Sequence, residues 1–193
     1  MKLLITTLLV WASTFHVLGQ GTVMLLNRVG SSVDAPVFDT DGTTKLAGTG
    51  YLAQLYAGPT ESALTPIGAT VTFRTGVAAG YFDSGSDSTR TITSVPPGGK
   101  AYVQVRAWDG TKGGSYEAAQ SAGGKAGSSS VFSVTTGGGL VPPAQLVGLR
   151  SFSLQLSSKP VITRHPASLA LGAGDTARFE VTATGTEPLQ YQW

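Results

Sequence analysis

The sequence predicts an all-β protein, in which an antiparallel β-sandwich-like domain is followed by the opening strands of a second sandwich. Glycine accounts for 26 of the 193 residues, and serine and threonine are abundant, which favours short strands joined by turns. Apolar and polar side chains alternate in several short runs, as in half-buried strands. Only residues 117–122 suit a helix, and Gly123 and Gly124 would end it.

The first half of the chain contains four β-prone runs, each followed by turn residues. They are residues 21–29, 51–57, 70–74 and 89–95, with turns at Asp41-Gly42, Gly58-Pro59 and Gly76. A short extended piece at residues 81–82 is predicted to pair with the run at 89–95, because neighbouring strands in a chain usually pair.

The clearest predicted strand spans residues 101–108 and ends at an Asp-Gly turn. Its side chains alternate between two faces, with Val103, Val105 and Ala107 on one and Tyr102, Gln104, Arg106 and Trp108 on the other. A short strand is predicted at 131–134.

Residues 151–156 alternate again, with Phe152, Leu154 and Leu156 predicted on one face. A linker rich in serine and proline follows at 157–160, where an extended connection is expected. This organisation predicts domains at residues 20–157 and 158–193.

Residues 1–19 have the pattern of a secretory signal peptide. Lys2 precedes a mostly apolar run at residues 3–12, and small or apolar residues at 17–19 suit cleavage before Gln20. The run is shorter than the ~20 residues of a membrane-spanning helix. We therefore expect export and a secreted or cell-surface protein. A buried N-terminal helix and a retained membrane anchor are the alternatives.

The last 34 residues, 160–193, alternate in the manner of sandwich strands. The alternating apolar side chains are Ala177, Phe179, Val181 and Ala183, then, after a turn, Leu189, Tyr191 and Trp193. This pattern resembles the immunoglobulin-like repeats of bacterial surface proteins.

The resemblance implies a core containing Phe179, Val181 and Trp193. Val181 stands where antibody domains have their first disulfide cysteine, and Trp193 where they have the core tryptophan. It also implies further strands beyond Trp193, so the chain is interpreted as a fragment with a truncated immunoglobulin-like domain. Whether an anchor lies downstream is left open.

The first domain is similar to a group of exported, β-rich proteins of environmental bacteria. The resemblance lies in residues 50–58, 103–109 and 151–154. It implies an extracellular setting and supplies no catalytic or binding residue.

The residue inventory excludes several chemistries. The chain has no cysteine, and its two histidines, His16 and His165, lie outside residues 20–157. A histidine-dependent triad, a cysteine nucleophile and a Cys/His zinc site are therefore excluded from that domain. We predict no catalytic residue, cofactor or metal. The 13 basic residues are scattered, which argues against nucleic-acid binding.

Asp39-Thr40-Asp41-Gly42 resembles the start of a calcium loop. Lys45 occupies a position where an oxygen ligand is needed, and no glutamate follows at the required distance. A polar turn is the favoured interpretation.

Trp108, Tyr102 and Tyr116 are the candidate ligand-binding residues, as an aromatic platform for sugar rings. The alternative, which we favour, is that these aromatic residues pack in the core. A glycoside hydrolase would need a carboxylate pair about 5–10 Å apart. Its candidates are Glu61, Asp83, Asp109 and Glu117.

These observations predict an exported, non-enzymatic protein with a structural or adhesive role. Its expected partner is a protein or polysaccharide at the cell surface. A carbohydrate-binding module is the alternative, and a carboxylate-based glycoside hydrolase is a more distant one.

Overall fold

The computed structural model describes residues 19–158, 161–185, 189 and 191–192. The predicted signal segment, apart from Gly19, and the predicted core residue Trp193 lie outside these residues. The protein is all-β, as the sequence predicts, with an antiparallel, sandwich-like arrangement of strands.

The described strands are numbered in chain order. In the first half they are β1 (Gly21–Met24), β2 (Arg28–Val29), β3 (Val33–Asp34), β4 (Val37–Phe38), β5 (Gly48–Gly58), β6 (Thr65–Phe73), β7 (Phe82–Asp83) and β8 (Thr89–Ile92). In the second half they are β9 (Lys100–Asp109), β10 (Lys125–Ser128), β11 (Phe132–Thr135), β12 (Phe152–Ser153), β13 (Gln155–Leu156), β14 (Val161–Arg164) and β15 (Thr182–Thr184). The helix α1 spans Tyr116–Ser121, and a 3₁₀ turn spans Gly76–Ala78.

Seven strands form the main sheet, in the order β13-β10-β9-β5-β6-β7, with β11 also paired to β9. β10 pairs with the second half of β9 and β11 with the first half, so both lie along the same edge of that strand. The pairs in this sheet are antiparallel. The long strands β5 and β9 are therefore central, with a paired strand on each side.

One face of the main sheet forms the principal core. The buried side chains of β9 alternate as predicted, and the buried apolar side chains of β5 and β9 pack with those of β1, β4 and β8. The fully buried members include Val23, Leu25, Val37, Leu55, Ile92, Val103 and Val105. Shorter strand pairs, β1–β8 and the parallel pair β4–β12, contribute to the layer over this face.

The helix α1 packs on the opposite face of the sheet. Ser115 caps its first turn by accepting a hydrogen bond from the Ala118 amide, and Gly123 ends it with a φ of 72°. Ala119 on this helix packs with Trp108 and Ala126 in a second apolar cluster. The helix predicted at residues 117–122 is confirmed, and it covers part of this face of the sheet.

The pairing predicted for residues 89–95 is wrong. β7 pairs with β6, whereas β8 pairs with β1, with Val23 opposite Arg90. The pairing with β1 buries Ile92 completely beside Val23 in the principal core. Burial of Ile92 between the two layers therefore favours the pairing of β8 with β1 and not with β7, its neighbour in the chain.

The single-face prediction for residues 151–156 is also wrong. β12 pairs with β4, and β13 pairs with β10, so the chain changes partners at Leu154. Leu154 is buried, and its amide donates a hydrogen bond to the Phe38 carbonyl. Leu156, beyond the change, is 68% exposed.

Beyond residue 160, β14 and β15 form a two-stranded antiparallel sheet. The alternating run predicted to begin at Ala177 is a strand only over Thr182–Thr184. Phe179 is 53% exposed, and Val181 is partly buried. The apolar core clusters contain no described residue after Leu154. Across the described part of the chain, no helix is long and apolar enough to cross a bilayer.

Candidate functional site

The candidate site lies on the face of the main sheet that carries α1. The antiparallel register places Leu52, Gln54 and Tyr56 of β5 opposite Trp108, Arg106 and Gln104 of β9. We use the name outer-face cluster for Tyr56, Gln104, Arg106, Tyr116 and Glu117, the last two of which belong to α1.

Arg106 is the centre of the outer-face cluster. Its guanidinium carbon lies 3.9 Å from the centroid of the Tyr56 ring and 5.1 Å from that of Tyr116. Its Nη1 donates to Glu117 Oε1 at 2.9 Å, and its Nε donates to Gln104 Oε1 at 2.9 Å. The cation is thus held by ring faces and by two oriented acceptors.

Tyr56 connects the sheet to the same carboxylate. Its ring is buried, and its hydroxyl donates to the two Glu117 oxygens at 3.1 and 3.2 Å. Burial, followed by the negative charge of Glu117, raises the pKa of Tyr56 to about 12. The phenol therefore stays neutral at neutral pH and acts as a hydrogen-bond donor.

Trp108 is not part of an exposed platform. Its side chain is fully buried, and its Nε1 donates to the Gly113 carbonyl at 2.9 Å. Its ring meets the edge of Tyr116 at a centroid distance of 6.4 Å and packs against Ala119. The docking of α1 covers the indole, so Trp108 lies in the second apolar cluster and not on an exposed face.

Tyr102 lies on the sheet, in β9, whereas Tyr116 lies on α1. Tyr102 is half-buried opposite Gly58, and Lys100 Nζ lies 4.8 Å from its ring centroid. It is six residues from Trp108 along β9, a separation of about 20 Å in an extended strand. Burial raises the pKa of Tyr116, and its hydroxyl accepts a hydrogen bond from Gln120. The structure therefore brings Trp108 and Tyr116 together, and Tyr102 stands apart.

A second ionic cluster links the polar turn at residues 39–44 to the sheet. Lys125 Nζ donates to Asp39 Oδ2 at 2.7 Å, and the Tyr51 hydroxyl donates to the same oxygen at 3.2 Å. Burial alone raises the pKa of Asp39, but the Lys125 hydrogen bond and charge and the Thr40 amide bring it below its ordinary value. These contacts attach the turn to β10 and β5.

Asp41 closes that turn. Its carboxylate accepts hydrogen bonds from the Thr44 hydroxyl and from the amides of Thr43 and Thr44. These bonds, the Thr44 hydroxyl foremost, lower the pKa of Asp41 to about 2. Within the described ranges, no three acidic or histidine side chains converge as a metal site.

The four candidate hydrolase carboxylates have different surroundings. Glu117 pairs with Arg106 and Tyr56 as described above, and Asp109 accepts from the amide and hydroxyl of Thr111. Glu61 and Asp83 are exposed.

Sequence reasoning missed the Arg106–Glu117–Tyr56 contact. The alternation in residues 101–108 indicated the face on which Arg106 lies, but the partners come from β5 and α1. Their approach depends on strand register and helix docking, which are not local properties of the sequence. Comparison with known proteins supplies no further residue: the chain matches no protein-family model, no curated protein and no solved structure.

Proposed function

We propose that the protein is exported and has a non-enzymatic, structural or adhesive role outside the cytoplasm, as a secreted or cell-surface protein. The observation that carries the structural part is the outer-face cluster. Arg106, Glu117 and Tyr56 satisfy one another and fasten α1 to the sheet. The signal-like pattern of residues 1–19 supports the export part.

The electrostatics of the domain support a structural use of its polar groups. Catalytic sites typically hold acids or bases whose pKa values are moved toward neutrality. Here the pKa of Tyr56 moves upward to about 12 and that of Asp41 downward to about 2, so both groups are held in their ordinary neutral-pH states. Both ionic clusters link separate elements of the fold.

The adhesive part draws on the C-terminal segment. The resemblance of residues 160–193 to immunoglobulin-like repeats of bacterial surface proteins supports a position at the cell surface. β14 and β15 pair as neighbouring strands, with Val161 58% exposed and Ile162 50% exposed. Such a strand pair offers apolar area for contact with another surface.

Export is tested by expressing the full chain in a bacterial host and measuring the mass of the product in each cell fraction. We expect a protein beginning at Gln20 outside the cytoplasm. A matched variant, Leu8→Arg with Leu9→Arg, breaks the apolar run and should remain uncleaved inside the cell. An unaltered chain that keeps Met1 in the cytoplasm would refute the export proposal.

The non-enzymatic role is tested with the processed protein on isolated cell envelopes and polysaccharides. We expect the protein to sediment with the envelopes and to release no soluble sugar. Multiple turnover on any polysaccharide, lost in Glu117→Gln but retained in Glu61→Gln, would show that the outer-face cluster is catalytic.

A carbohydrate-binding module is the second candidate, favoured by the partly exposed ring of Tyr102 on the outer face of β9. A glycan array would show selective binding that Tyr102→Ala abolishes. Tyr191→Ala, at a 52% exposed tyrosine of the C-terminal segment, is the matched control. Binding that survives Tyr102→Ala would place the sugar elsewhere.

A further inference from the structure

A small cavity lies between β2, with the two residues before it, and the segment joining β6 to β7. Its volume is about 90 Å³, and its lining includes Arg28, Arg74, Tyr81 and the buried Asn27. It is distinct from the outer-face cluster, with which it shares no residue. Its lining combines two arginines with an aromatic ring.

Arg28 is held in place at this cavity. Its guanidinium carbon lies 4.8 Å from the centroid of the Tyr81 ring. That ring is only 8% exposed, and its hydroxyl donates to Asp34 Oδ1 at 2.6 Å. Asp34 is also the cross-strand partner of Arg28 in the β2–β3 pair. The aromatic ring on which the arginine stacks is therefore fixed at both its face and its hydroxyl.

The buried amide of Asn27 makes the wall of the cavity rigid. Its Nδ2 donates to the carbonyls of Ala35 and Gly80 at 2.9 Å each, and its Oδ1 accepts from the Phe82 amide at 2.8 Å. The Arg74 amide donates to the Tyr81 carbonyl at 2.9 Å, which fixes the backbone of the second arginine next to that of Tyr81, and both residues line the cavity.

The charge around Tyr81 is positive. Arg28 and Arg74 line the same cavity as Tyr81, and Lys45 Nζ lies 5.6 Å from the centroid of that ring. Among the described residues, the carboxylate that contacts Tyr81 is that of Asp34. Among the residues that the structure describes, no carboxylate lies within 4.0 Å of a side-chain nitrogen of Arg28 or Arg74. Both guanidinium groups therefore keep their planar set of donors available for an oxyanion.

We propose that this cavity binds one oxyanion group, a carboxylate, sulfate or phosphate, between Arg28 and Arg74. Two arginines supply the paired, planar donors that such a group accepts, and the volume suits a single compact group. The group comes either from an acidic polysaccharide, as a uronate or sulfate ester, or from a free inorganic ion. This site does not depend on the structural or adhesive role proposed above.

The test is a titration of the full chain, followed by NMR through its arginine Nε–H signals at constant ionic strength. The probes are sodium sulfate, sodium phosphate and a uronic-acid oligosaccharide. We expect saturable shifts of the Arg28 and Arg74 signals for at least one probe. Affinity should fall tenfold or more in Arg28→Gln and in Arg74→Gln. Arg164→Gln, which removes an exposed arginine of β14, should leave it unchanged.

Arg28→Lys keeps the charge but loses the planar donor set, so it should also weaken binding. Tighter binding of the oligosaccharide than of both free ions would identify the polysaccharide as the source of the group. Equal or tighter binding of a free ion would identify that ion as the ligand. Shifts that do not saturate with any probe, or equal losses in Arg28→Gln and Arg164→Gln, would overturn the proposal.

Discussion

Asn27 shows how a single buried polar residue organises this domain. It is the one asparagine in the sequence, and it is 1% exposed. Its side chain satisfies three backbone groups, on Ala35, Gly80 and Phe82, from separate parts of the chain. Because buried backbone groups rarely stay unpaired, this amide adds hydrogen-bond partners around the short strands β2 to β4, whose own pairing covers few residues.

Asn27→Leu should lower the free energy of unfolding by on the order of 3 kcal/mol, because it leaves buried backbone donors and acceptors without hydrogen-bond partners. Chemical denaturation of the two proteins measures the difference. Gln145→Leu removes an exposed amide and should change stability by less than about 0.5 kcal/mol. Equal stability of Asn27→Leu and the unaltered protein would contradict the role of Asn27.

Tyr56 should make the stability of the protein depend on pH above pH 10. Its pKa in the folded protein, about 12, lies above the ordinary 10.0. Its contribution to stability is therefore complete below pH 10 and is lost as the pH rises toward 12. Tyr56→Phe should flatten the fall in melting temperature over this interval, measured by thermal unfolding. Tyr191→Phe should leave the fall unchanged.

At the scale of elements, Ser129 holds the irregularity between β10 and β11. Both strands run along β9, but residues 129–131 bulge between them. The Ser129 amide donates to the Val105 carbonyl, and its hydroxyl accepts from the Val105 amide at 3.1 Å. The hydroxyl thereby replaces the backbone acceptor that a regular strand would supply.

Ser129→Ala should destabilise the protein by about 1–2 kcal/mol, because the Val105 amide loses its acceptor in a buried position. Amide hydrogen exchange should report faster exchange at Val105 than in the unaltered protein. Ser130→Ala, at the exposed neighbouring position, should affect neither quantity. Slow exchange at Val105 in Ser129→Ala would contradict this account.

The elements themselves were largely predictable where a strand keeps one face in the core along its length. The alternation at residues 101–108 is observed in β9, because this strand is central and keeps one face in the principal core. The alternation at 151–156 failed, because the chain changes sheets at Leu154 and leaves Leu156 outside the core. Period alone does not reveal such a change of partner.

The candidate site was predicted in part. The sequence placed Tyr102, Arg106 and Trp108 on one face. The burial pattern of β9 confirms this alternation as far as Ala107; Trp108 is buried as well. It could not show that α1 buries Trp108 or that Glu117 reaches Arg106. Both facts depend on how α1 docks against β9, and the pairing of β8 with β1 depends on contacts between residues distant in sequence.

At the scale of the whole molecule, the core belongs to residues 20–157. The apolar clusters contain no described residue after Leu154, and β14 and β15 pair with each other. A version ending at residue 157 should therefore melt within about 2 °C of the longer protein, as measured by calorimetry. A large fall in melting temperature would show that the segment after residue 157 supports the fold of residues 20–157.

The claim that the outer-face cluster has a structural use is tested most directly by a double-mutant cycle on Arg106 and Glu117. The measurement is the free energy of unfolding of Arg106→Gln, Glu117→Gln and the double variant. Because Glu117 is 58% exposed, we predict a favourable coupling of up to about 1 kcal/mol, with envelope binding preserved. Zero coupling, unchanged stability in both single variants and loss of binding would instead identify the cluster as a ligand site.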